Sequence, residues 1–287
     1  MLIKRISFEI KRRVYEPFLN HEFWWMGLNE SFTNNWNIWI NTNILMTALL
    51  NSDSHQRLEV INRTIVLSDN WLNSYGEDGG SAEGPAYWYE SAGRFVLFYY
   101  YLSSASGHKM DFSSHQLIYN LGTYIYRVHI DQDYFFNYGD SNARLIPDPT
   151  LVYRYGQVFD NKIMRQFAAY LYRMAGKDSY LSNVVLSGKL HLVFLQFDAY
   201  PKLKTIPPKA PLPSESWYPD LQLATLRTHK GSPKGLFLGV MAGNNGKSYN
   251  HYLEREQRIY KLIDRWESSA QRRRKLHNLF GRKACPH

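Results

Sequence analysis

Apolar side chains recur three and four positions apart in five segments of the first 200 residues, a spacing that commits most of this region to helices. The segments are Trp39–Leu50, Glu59–Leu72, Tyr89–Leu102, Ser114–Val128 and Lys162–Met174. Helices with one apolar stripe each must bury it against a neighbour, which predicts an all-helical layered or toroidal domain. Two connecting segments, Gly76–Ala86 and Asn137–Pro149, are long and rich in Gly, Asp, Asn and Pro. Long loops on a helical scaffold are where functional residues concentrate.

The pattern changes near residue 205. Ile206–Pro213 holds four prolines and reads as a linker. Beyond it, Asp220–Thr228 and Gly235–Val240 alternate as strands around a Gly- and Pro-bearing turn, which predicts a β-hairpin opening a β domain. After His251 the pattern changes again. Tyr252–Trp266 reads as a basic helix leading into a basic tail, with ten Lys/Arg against four Asp/Glu over residues 252–287. The expected organisation is therefore a helical domain over 1–205, the start of a β domain over 206–251, and a basic tail over 252–287. No internal repeat is present, which excludes tandem arrays.

The formal net charge is +9, but the tail supplies +6 of it, so the body is only about +3. A mildly basic body suits a polyanionic substrate. Without a basic motif on a recognised fold it gives no support to nucleic acid as a partner. Hydrophobic residues make up 44% of the chain and aromatics 16%, including 22 Tyr and 8 Trp, enough for a large core and for a groove that stacks flat rings. The one cysteine, Cys285, excludes an intrachain disulfide and cysteine-built zinc sites. Met1–Arg13 lacks a signal-peptide core, and no run of about 18 apolar residues predicts membrane insertion.

Three segments carry residue types suited to chemistry. Asn34-Asn35-Trp36-Asn37 precedes an apolar helix; the amides would cap it, or one would donate to a substrate carboxylate while Trp36 or Trp39 stacks on a sugar. Tyr75–Tyr89 combines four glycines and Pro85 with Glu77, Asp78 and Glu83 and with Tyr75, Tyr87 and Tyr89, more ionisable groups than a structural turn requires. Ala242–His251 is a Gly/Asn turn offering Lys247, Tyr249 and His251. Arg127, His129 and Asp131, then Arg144, Asp148, Tyr153 and Arg154, are weaker candidates; each alone reads as a packed or paired polar residue, while together they would clamp an anionic sugar.

The order of these segments, an Asn-rich turn before a helix, an Asp-Gly-Gly-x-x-Glu-Gly-Pro-x-Tyr-Trp loop and a Gly-Asn-Asn-Gly-x-Ser-x-Asn-His turn, resembles the heparinase II/III-like polysaccharide lyases over roughly residues 10–251. The resemblance implies a mainly α fold, an incomplete (α/α) toroid followed by the start of an antiparallel β-sandwich, and β-eliminative cleavage of an acidic, uronate-containing polysaccharide outside the cytoplasm. Elimination needs a donor that neutralises the uronate carboxylate, a base for the adjacent proton and an acid for the leaving oxygen. By resemblance Asn35 matches the neutralising amide and Tyr87 the acid and base, with Tyr249 in the position of a second catalytic group. Trp36, Asn37, Glu83, Trp88, Arg144, Arg154, Lys247 and His251 are the implied substrate contacts. A phenol acts as a base near neutral pH only beside a cation or hydrogen-bond donor, which Arg144, Arg154 or Lys247 would supply.

The chain departs from that pattern in three ways. Trp36 stands where many members have His after the catalytic Asn. Tyr249-Asn250-His251 stands where many have His-Asn-His, and the metal partners that would follow are not matched, so no metal and no other cofactor is expected. The change after His251 is what a shifted reading frame would produce, and the resemblance calls for helices before Met1, so a fragment is expected. Two alternatives remain: a hydrolase using two carboxylates from Glu77, Asp78 and Glu83 as acid and base, and a glycan-binding protein without turnover.

Overall fold

The structure is a computed structural model that describes residues 2–28, 33–51, 54–145, 147–175, 190–242 and 259–263, with backbone alone for 54–55, 190–193 and 259–263. It is mainly helical, with a small antiparallel sheet at the C-terminal end of the described chain. The helices are α1 (Leu2–Ile10), α2 (Glu16–Asn20), α3 (Asn35–Leu50), α4 (Ser54–Asn73), α5 (Ala92–Ala105), α6 (Gln116–Arg127), α7 (Pro149–Val158), α8 (Lys162–Ala175) and α9 (Leu190–Thr205). A π-helical segment, Lys11–Tyr15, joins α1 to α2, and a single 3-10 turn, Trp24–Met26, precedes α3.

Local chemistry sets the helix starts. The Asn34 side chain accepts from the Trp36 N–H and caps α3, so the helix begins at Asn35 and includes Trp36 and Asn37, which the periodicity left outside it. Asp148 caps α7 through the Thr150 N–H, with Pro149 in the first turn. Helices α3 and α4 form one hairpin and α7 and α8 another, with α5 packed against both α3 and α7, while α9 packs on α7 and α8. One large core joins these elements, and a smaller one, built on Tyr15, Phe18, Trp25, Met26, Ile44 and Val60, fastens the N-terminal segment to α3 and α4.

The sheet has the order β3 (Glu215–Tyr218), β4 (Leu223–Arg227), β5 (Phe237–Met241), β6 (Ile259–Ile263), all antiparallel, with Leu223 opposite Met241 and Phe237 opposite Ile263. Tyr218, Leu223, Phe237 and Met241 point inward and join the large core, so the sheet lies against the helical body. The expected hairpin is present as β4 and β5. The expected basic helix over Tyr252–Trp266 is corrected at Ile259–Ile263, which pairs along the whole of β5 as a strand; the rest of that span lies outside the described residues. Apolar residues at 259, 262 and 263 and the ladder partner outweigh the local charge. Among the described residues, no helix is long and apolar enough to cross a membrane.

Polar contacts weld the sheet to the body. Ser216 Oγ and Thr225 Oγ1 both donate to the Arg127 carbonyl, and the buried Arg227 guanidinium donates to the His129 and Ile130 carbonyls at 3.0 and 2.8 Å. These two carbonyls belong to β1 (His129–Asp131), which pairs with β2 (Tyr134–Phe135). Removing a charged donor from buried acceptors costs their desolvation as well as the bond. Arg227→Met is therefore expected to destabilise the protein by roughly 3 kcal/mol, measured by urea unfolding.

Candidate functional site

The Gly-rich segment after α4 follows no regular element and is shaped by contacts on every side. A Cβ at Gly79, whose φ is +72°, would stand 2.5 Å from the Asn120 and Leu121 backbone of α6, so only glycine fits there. Asp78 accepts from the Gly80 N–H at 2.8 Å with one oxygen and from the Asp220 N–H at 3.0 Å with the other, tying the loop to the sheet. Asn120 donates to the Glu77 carbonyl, and the Tyr138 hydroxyl to the Ser81 carbonyl. The Ala86 N–H donates to Ser141 Oγ, and Trp88 Nε1 to the Leu121 carbonyl at 2.8 Å.

Against this loop sits the first turn of α3. Asn35 Nδ2 donates to Glu83 Oε1 at 2.7 Å and the Asn35 N–H to Glu83 Oε2 at 3.2 Å, with both residues buried. The carboxylate thus meets two donors at a helix N-terminus, where the helix dipole adds to its stabilisation. The two most specific sequence segments are thereby brought together: Glu83 lies four residues before Tyr87, and Asn35 lies one before Trp36. Trp36 is 48% exposed and Tyr87 half-buried, so the two segments that meet here carry an accessible indole and a partly accessible phenol. The space beside Asn34 and Glu83 is only about 10 Å³, far below a sugar ring, so the Asn35 amide faces Glu83 and not an open cleft.

Several expected substrate contacts are corrected by burial. Trp88 is wholly buried, its indole bonded to Leu121 and packed against Tyr155. Asn37 is also wholly buried, donating to the Met26 carbonyl and accepting from Asn41. The Trp39 ring is covered by the Arg94 guanidinium, itself buried and ion-paired with Glu90 at 2.9 Å. The two-carboxylate alternative loses its geometry, since Asp78 spends both oxygens on backbone N–H groups and Glu83 both on Asn35.

The cations are dispersed. Arg144 pairs with Asp133 at 2.6 Å and lies over the Tyr134 ring. Arg154 is buried, pairs with Asp198 at 2.9 Å, stacks on Tyr100 and lines a groove of about 970 Å³ with Leu50 at the far end of α3. Asn35 and Leu50 are about 22 Å apart along that helix, so Arg154 lies at the opposite end of α3 from Asn35. Lys247, Tyr249 and His251 lie outside the described residues. No three of His, Cys, Asp and Glu come together as metal ligands among the described residues. Trp24, which sequence reasoning passed over, packs against Trp36 and is exposed; adjacent tryptophans with no periodic context gave no sign of which ring faces out.

His129 is a core residue. Its ring is enclosed by Phe135, Phe167 and Tyr170, and Nε2 donates to the Gln132 carbonyl, which leaves Nδ1 unprotonated and without a partner among the described residues. Burial pushes its pKa from 6.5 down to about 4. The unfolded chain therefore binds a proton that the folded one refuses between those values. The resulting stability is complete above pH 6.5 and falls as the pH drops towards 4, by on the order of 3 kcal/mol. Urea unfolding at pH 7 and pH 5 should show about 2 kcal/mol of this loss, and His129→Leu should flatten it.

Compared with known proteins, the chain matches no family model and no curated protein.

Proposed function

We propose that the protein acts on an acidic, uronate-containing polysaccharide and cleaves it by β-elimination, on a scaffold that is part of an (α/α) toroid followed by the first strands of a β-sandwich. The observation that carries this reading is the Asn35–Glu83 junction. It joins the Asn-rich turn to the Gly-rich loop, segments 48 residues apart whose residue types are those elimination requires. An amide NH₂ has two hydrogens. One of them is held by Glu83, which fixes the orientation of the Asn35 side chain.

In the proposed reaction, a donor at the uronate carboxylate draws charge from the neighbouring carbon and makes its hydrogen removable. Tyr87 takes that proton, the electron pair forms a carbon–carbon double bond, and the glycosidic oxygen departs with a proton returned by the same phenol. Trp36 offers a stacking face to the sugar. Binding without turnover is the second reading, favoured by one observation: the Asn35 donors are engaged by Glu83, and the space beside them is too small for a sugar.

Elimination leaves an unsaturated uronate that absorbs in the ultraviolet, and hydrolysis does not. The chain is expected to release such a product from a uronate polymer. Tyr87→Phe should lower the rate at least about 100-fold, the usual contribution of a positioned acid–base group, while polymer binding stays within about twofold. Cleavage without ultraviolet absorption would refute elimination, and full activity in Tyr87→Phe would refute the role of that residue.

A further inference from the structure

The run Phe23-Trp24-Trp25-Met26 divides its side chains sharply. Trp25 and Met26 are buried, and the Trp25 indole lies parallel to the rings of Phe18 and Phe23 at 6.4 and 5.8 Å. The turn is closed by the Phe23 N–H on Met26 Sδ and by Gly27 at φ +66°. Arg63 of α4 braces it from below, donating to the His21 carbonyl and lying over Phe18. Phe23 and Trp24 face outward, 39% and 57% exposed.

Trp36 arrives at the same place from the other side. Its neighbours Asn35 and Asn37 are both buried, one on Glu83 and the other donating to the Met26 carbonyl at 3.1 Å. That last bond ties the first turn of α3 to the turn carrying Trp24. The two indoles stand with centroids 5.2 Å apart and planes tilted by 46°, forming an open wedge. Their anchors are buried on both sides, so little conformational freedom remains to be lost when a ligand binds. Two large apolar rings held in water are a cost that the chain's own packing does not offset.

We infer that Trp24 and Trp36 form a stacking subsite for one pyranose ring of an anionic glycan, with Trp24 a positioning residue for the sugar next to the one that reacts. The inference rests on the lyase reading for the identity of the glycan, but its binding role is separable from it. A pyranose presents an apolar C–H face that matches an indole and hydroxyls that remain in water, so the wedge is covered without burying polar groups unpaired. Its acidic substituent is favoured by the Arg63 guanidinium under the Trp24 turn. A protein partner is a poorer fit, since two indoles offer at most about 500 Å² against the roughly 1,000 Å² that a specific protein interface needs.

The test is calorimetric titration of the full chain with hexamers of galacturonate, mannuronate and glucuronate, and with neutral cellohexaose. One of the acidic hexamers should bind, with Trp24→Ala weakening it about tenfold. Trp24→Phe should recover most of that loss, which a merely structural defect would not allow. Trp217→Ala, which removes an equally exposed indole on β3, should change nothing, and circular dichroism should be unaltered in all variants. Equal binding by wild type and Trp24→Ala overturns the subsite, as does the failure of all three acidic hexamers to bind; cellohexaose binding as tightly as the acidic hexamer overturns its anion preference. Trp24-dependent binding with no unsaturated product supports the subsite and refutes the lyase reading, whereas Tyr87-dependent elimination indifferent to Trp24 does the reverse.

Discussion

A carboxylate sealed from water has to find donors inside the protein, and Glu83 finds both on Asn35. That requirement fixes the first turn of α3 against a loop with no regular structure of its own. Around the same point the loop takes Asn120 of α6 on one flank, Tyr138 and Ser141 on another and Asp220 of the sheet on a third. The helical body supplies the walls, but Glu83 decides how the loop faces them. Trp36 and Tyr87 inherit their accessibility from it, because each is separated from the junction by only a few residues of chain.

The sheet contributes in a different way. Its inner face extends the apolar core, while Arg227, Ser216 and Thr225 consume carbonyls at the end of α6 and in β1 that would otherwise be buried unpaired. Closing those carbonyls also sets the height at which Asp220 meets Asp78. The sheet is thus a structural wall of the candidate site, and the described strands supply no group to its chemistry.

Helices with one buried stripe were legible in the sequence, and the β4–β5 hairpin with them. Helix α7 was not, because every residue from Pro149 to Gly156 is buried and an all-buried helix has no polar face to set a period. Helix α9 carries Pro201 in its interior and polar residues that blur its stripe. Strand β6 sits in a basic segment, where only a pairing partner distant in sequence reveals it. At the candidate site the loop stood out by its residue types, and the resemblance grouped it with the Asn-rich turn, to which the Asn35–Glu83 bonds join it. Which rings turn inward was not: Tyr87-Trp88-Tyr89 lies in a turn without periodicity, so only the Leu121 carbonyl selects Trp88 for the core. Arg144 and Arg154 looked alike in sequence and are taken by Asp133 and Asp198 on separate surfaces.

The hydrogen bond from the Asp220 N–H to Asp78 spans 142 residues. Ring closure over such a length is entropically slow compared with forming helical hairpins, whose partners are adjacent in sequence. The Gly-rich loop therefore completes its hydrogen bonds only when the sheet docks. During synthesis the loop emerges early and waits for residues near 220 to leave the ribosome. A chain interrupted before that point would lack both the Asp220 tie to the loop and the sheet's share of the core.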